Sequence, residues 1–121
     1  MRKEIMISIL FAIVTLFFLN VHSAYAQLDK AQQYLREAEY YNRQADSYER
    51  DALNYTKKAD DYLKSAERFS RDKKFDKAKM YTNWANEAFS KARLRLSWAK
   101  DARDKAKLRT RWTEDAMKRK R

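Results

Sequence analysis

The residues able to do chemistry in this chain are defined first by those that are missing. There is no cysteine and no glycine, and the single histidine is His22. Thiol and imidazole catalysis, Cys/His zinc sites, phosphate-cradling loops and a nucleophile elbow all need one of these residues. Adjacent acids do occur, at Asp60 and Asp61 and at Glu114 and Asp115. Neighbours in sequence point to different faces of a helix, whereas glycoside hydrolysis needs two carboxyls facing each other across a cleft. The chain therefore reads as a non-enzyme, with no metal, no other cofactor and no small-molecule substrate.

What remains is recognition chemistry. Trp84, Trp98 and Trp112 are fourteen residues apart, with Lys91 and Lys105 midway between them. Lys77 and Arg119 extend the series, so one heptad position reads Lys, Trp, Lys, Trp, Lys, Trp, Arg. On a supercoiled helix these residues share a flank, with the indoles ~21 Å apart. Phe89 and Leu96 are expected to widen the apolar surface beside Trp98. The residues at the matching position of the first half are polar (Lys30, Glu37, Gln44, Asp51, Lys58 and Ser65). An apolar strip left uncovered in this way marks an interface. Charge points in the same direction. Residues 27–72 carry nine Lys/Arg and ten Asp/Glu, a net of −1, whereas residues 73–121 carry seventeen and six, a net of +11. A one-sided basic block attracts acidic or polyanionic partners.

These groups need elements to hold them. From Gln27 onward the chain has no Gly, Pro, Val or Ile, and its β-branched residues are four threonines. Turn and strand formers are thus scarce, and helix formers dominate. Ala31, Ala38, Ala45, Ala52, Ala59 and Ala66 recur every seven residues. Each is followed three residues later by a ring: Tyr34, Tyr41, Tyr48, Tyr55, Tyr62 and Phe69. This is an a/d seam, the mark of a supercoiling helix. Asp29 and Gln32 have the spacing of a capping box at its start.

A second alanine series, Ala78, Ala85, Ala92, Ala99 and Ala106, keeps the period but begins twelve residues after Ala66. Twelve is one heptad plus five, an offset outside the stutters and stammers of a continuous coil. The pattern predicts a first helix at about 29–70, a turn at about 71–74 with Asp72 as N-cap, and a second helix at about 75–118. In an antiparallel hairpin, facing residues have a constant index sum. Ala66/Ala78, Ala59/Ala85, Ala52/Ala92, Ala45/Ala99 and Ala38/Ala106 all add to 144. One index away, Tyr55 faces Ala88 and Tyr41 faces Ala102, while Tyr48 and Tyr34 face Arg95 and Arg109, a geometry suited to cation–π stacking.

Tyr62, Ala66, Phe69, Phe75, Ala78 and Ala85 fall at spacings that resemble one tetratricopeptide repeat around its turn, although the usual turn Gly and closing Pro are absent. The resemblance implies a helix-turn-helix there. In style, the alanine heptads are similar to bacterial murein lipoprotein. The chain has no cysteine to lipidate and ends in a basic run from Lys118 to Arg121, so that function is not carried over.

Residues 1–26 differ from the rest. Arg2 and Lys3 precede an apolar run from Ile5 to Leu19, and Ala24, Tyr25 and Ala26 form an A-x-A triplet before Gln27. This is the layout of a secretory signal peptide cleaved before Gln27. The expected architecture is all-α: a signal peptide (1–26), then a long antiparallel two-helix hairpin (27–121), an alanine-rich coiled coil that completes a bundle by self-association. The expected role is that of an exported, periplasmic structural or adaptor protein of a bacterial envelope, accessory to a secretion or conjugation machine. Its expected partner is a second copy or another envelope protein. The alternative is a cationic amphipathic protein that binds lipid A, an anionic membrane or nucleic acid and is toxic to cells.

Overall fold

The computed structural model describes residues 2–118 of the chain, with side chains from residue 25 to residue 118. It is an all-helical hairpin of two elements, α1 (Arg2–Arg71) and α2 (Phe75–Lys118). The apolar run of residues 5–19 and the basic end at 119–121 lie outside the residues whose side chains are described. Tyr25, Ala26 and Gln27 are helical. Among the described residues no helix is long and apolar enough to cross a membrane. α1 also runs unbroken through Asp29 and Gln32. A capping box needs non-helical backbone at its first residue, so this pair lies inside a helix of the full chain and does not start one.

Two compact units are distinguishable, Glu39–Ala106 and Met1–Ala38 with Lys107–Arg121. In the first, every buried side chain is an alanine. Ala45 clusters with Ala99 and Ala102, with Tyr48 packed alongside. Ala59 clusters with Ala85 and Ala88, flanked by Tyr62, Leu63 and Phe89. Both clusters contain a pair whose indices add to 144. Ala52, Ala66, Ala92 and Ala106 are buried as well. Ala78 is the exception on the seam: it is only half-buried. It stands one turn after the chain reversal, where it lines a shallow groove with Leu63, Ala66 and Thr82. In the second unit Ala31 and Ala38 are buried. There Thr113 donates its hydroxyl to the Arg109 carbonyl at 2.9 Å and reaches the Ala31 carbonyl at 3.5 Å.

The reversal is made without glycine. Lys73 takes a left-handed conformation with φ of 60°. Its N–H donates to the Ser70 carbonyl at 3.0 Å, and the Lys74 N–H donates to the Phe69 carbonyl at 2.8 Å. These two bonds form a Schellman motif with Lys73 at C′, a position usually given to glycine. They consume the residues between the helices, so Asp72 closes α1 and does not cap α2. The Lys74 carbonyl accepts from the Ala78 N–H at 3.0 Å, which makes Lys74 the N-cap of α2. An acid is still supplied near that helix start, but it is Asp76, in the first turn, where it complements the helix dipole.

A side chain with a Cβ costs about 1 kcal/mol in the left-handed region, and glycine does not carry that cost. Lys73→Gly is therefore expected to stabilise the hairpin by about 1 kcal/mol, read as a higher urea midpoint at unchanged m-value. A lower midpoint would contradict the turn described above.

Candidate interaction surface

The rings of α1 and the Lys/Trp series of α2 meet rung by rung. In the unit around the turn, the Trp84 and Trp98 indoles lie against Tyr62 and Tyr48, with ring centroids 5.7 and 5.6 Å apart. The alternate positions carry ammonium groups. Lys77 sits over Phe69 at 5.4 Å, Lys91 over Tyr55 at 5.8 Å and Lys105 over Tyr41 at 5.5 Å. In the other unit, Trp112 lies against Tyr34 at 5.4 Å. The two numbers in each of these six pairs add to 146. The alternation of Lys and Trp on α2 is thus an alternation of cation–π and aromatic–aromatic rungs on one row of rings. Both contact types are favourable to a ring because of its quadrupole.

The arginines next to this series take a different place from the one expected. Arg95 lies over Trp98 at 4.2 Å and over Tyr55 at 5.8 Å, and it pairs with Asp51 at 3.9 Å. Tyr48 has the Trp98 edge as its neighbour, so the expected Arg95–Tyr48 stack does not form. Arg95 and Trp98 are three residues apart, close enough to meet on one helix face. Arg109 lies over Trp112 at 4.2 Å, and its Nε donates to Glu37 at 2.7 Å.

Each indole remains partly open, with Trp84 40%, Trp98 39% and Trp112 37% exposed. Beside each runs a groove of repeated make-up. The groove at Trp98 is lined by Gln44, Tyr48, Asp101, Ala102 and Lys105, and that at Trp84 by Lys58, Tyr62, Glu87, Ala88 and Lys91. In the other unit Trp112 lines one with Lys30, Tyr34, Asp115 and Ala116. The polar residues expected opposite the indoles are therefore present there, but as groove walls rather than as the main packing partners. Ala88 and Ala102, buried in the seam, also explain the grooves, since a small side chain beside a large one leaves a notch. The sequence signal for them was available: Trp-x-x-acid-Ala-x-x-base occurs at 84–91, 98–105 and 112–119.

Phe89 does not extend this strip. Phe89 is half-buried against Ala59, Ala85, Ala88 and Leu63, whereas Trp84 packs on Tyr62. Leu96, seven residues on and at the same heptad position as Phe89, is 52% exposed. A separate polar cluster holds the helices together elsewhere in this unit. Arg103 donates to Asp46 at 2.8 Å, to Glu49 at 3.0 Å and to Asn42 at 3.5 Å. Donating to Glu49 and then to Asp46 raises the pKa of its guanidinium above the ordinary value.

The Tyr48–Trp98 rung couples the two residues energetically. A double-mutant cycle with Tyr48→Ala and Trp98→Ala, followed by urea unfolding, is expected to give a coupling of about 1 kcal/mol. The Tyr48/Arg95 pair serves as the comparison and is expected to give a value near zero. Equal couplings would contradict the rung assignment. No protein-family model matches this chain, and comparison with curated proteins and with solved structures finds no match.

Proposed function

We propose that this chain is an exported, non-enzymatic coiled-coil protein of a bacterial envelope, acting as a structural or adaptor component. It works in the periplasm, accessory to a secretion or conjugation machine. Its hairpin associates with a second copy or with another envelope protein.

The observation that carries this reading is an inversion of the usual core. Among the described residues only alanines are buried, while the three tryptophans keep 37–40% of their surface exposed. A chain of this size buries a modest share of its surface, and association is a common reinforcement where disulfides are absent. The A-x-A triplet before Gln27 supports export, and the missing Cys, His and Gly after it support a non-catalytic role. The excess of seventeen bases over six acids from residue 73 onward supports an acidic surface on the partner.

The test uses the protein recovered from the periplasm after export, with its N-terminus at Gln27 verified by intact mass. Sedimentation at micromolar concentration and co-purification from the periplasm are expected to show either self-association or a retained envelope protein. A monodisperse monomer that retains nothing would contradict the reading.

A further inference from the structure

The indole flank carries a second pattern, which names the partner. Four residues before each Trp or Lys from Trp84 to Lys105 stands another regular position of α2. In the unit around the turn it reads Met80, Glu87, Leu94 and Asp101. Apolar side chains and acids alternate there, just as apolar side chains and cations alternate at Trp84, Lys91, Trp98 and Lys105. Residues four apart lie side by side on a helix, so the two rows form alternating apolar and charged bands on one face.

The face is available. Leu94 is 48% and Trp98 39% exposed, and Lys91, Lys105, Glu87 and Asp101 are exposed too. Glu87 and Asp101 form no ion pair or hydrogen bond with any described residue of the chain. Each has a lysine four residues on, the spacing of a favourable helix pair, yet those lysines lie over Tyr55 and Tyr41 instead.

We infer that this face binds the same face of a second copy, with the two α2 helices antiparallel and in a register where facing residues add to 192. In that register Trp98 of each copy meets Leu94 of the other, Lys91 meets Asp101, and Lys105 meets Glu87. Every contact is made twice, as a two-fold interface requires. The same sum is met further along the sequence by Trp84/Leu108, Met80/Trp112 and Lys77/Asp115. A parallel pairing sets Lys91 level with Lys91 and Lys105 level with Lys105, which is like charge on like charge. A polyanion does not suit the face either, because Glu87 and Asp101 stand within it. Charge and apolar surface thus select a copy of this chain, and one direction for it. This rests on the self-association form of the function proposed above.

The experiment exchanges charges in the exported protein. K91E/K105E and E87K/D101K are made separately, and helicity is verified by circular dichroism. Each variant alone is expected to lose at least tenfold in dimer affinity by sedimentation equilibrium. An equimolar mixture is expected to form a heterodimer, identified by its mass. The quadruple variant, in which every pair is reversed, is expected to dimerise at least tenfold more tightly than either parent variant even though it also lacks the Lys91 and Lys105 contacts with Tyr55 and Tyr41, and it guards against simple misfolding. Variants that dimerise as tightly as the wild type, or a mixture that stays monomeric, overturn the register while self-association stands. A wild type that stays monomeric at high micromolar concentration overturns the second copy as occupant, and the co-purification above then decides whether the adaptor reading survives it.

Discussion

Contact between alanine methyl groups is what the rest of the hairpin depends on. A methyl is the smallest side chain that still fills the space between two helices, so an all-alanine seam lets backbones approach closely. It also contributes little, because burying one methyl-sized group gives about 0.8 kcal/mol. Ala45, Ala59 and Ala85 are completely buried, yet a core made of such residues cannot by itself offset the ordering of so many side chains. The bulk of the apolar area has to sit beside the seam, where close backbones leave room only on the flanks. Tyr34, Tyr41, Tyr48, Tyr55, Tyr62 and Phe69 are all half-buried in that position.

The flanks then determine what α2 must carry. A row of half-buried rings presents π-faces and edges to the partner helix, and either an ammonium or another ring is a suitable neighbour. α2 uses both in turn. This gives part of the positive charge of its arm a structural task, since Lys77, Lys91 and Lys105 cover rings of α1. Arg103 and Arg109 take up carboxylates of α1 as well. These pairs are mostly exposed, and exposed pairs contribute little to stability. Their larger effect is on register, because a shift by one heptad would carry Arg103 away from both Asp46 and Glu49.

Much of this was legible in the residues themselves, for a physical reason. A seven-residue period in alanine runs from Ala31 to Ala66 and again from Ala78 to Ala106, and two such series of opposite direction fix an index sum. The chain reversal followed from the five-residue offset. Its chemistry did not, because the Schellman turn places Lys73 in a conformation that sequence statistics reserve for glycine, and it moves the cap from Asp72 to Lys74. The Lys/Trp series was visible, but its partners were sought at the matching heptad position of α1 rather than at the ring position. The rings lie two index units from the alanine sum, which is where a side chain reaching round the seam arrives. Ala88 and Ala102 entered as counterparts of Tyr55 and Tyr41, whereas they prove to be seam residues that also open the grooves beside the indoles.

The hairpin rests on the antiparallel approach of two alanine rows, and a distance across them measures it. Glu39 and Lys105 are exposed and belong to one compact unit. Spin labels at these two positions, read by pulsed dipolar spectroscopy in dilute solution, are predicted to lie within about 25 Å, the span of two helix diameters. A separation of ~100 Å, the rise of 66 residues of unbroken helix, would contradict the hairpin.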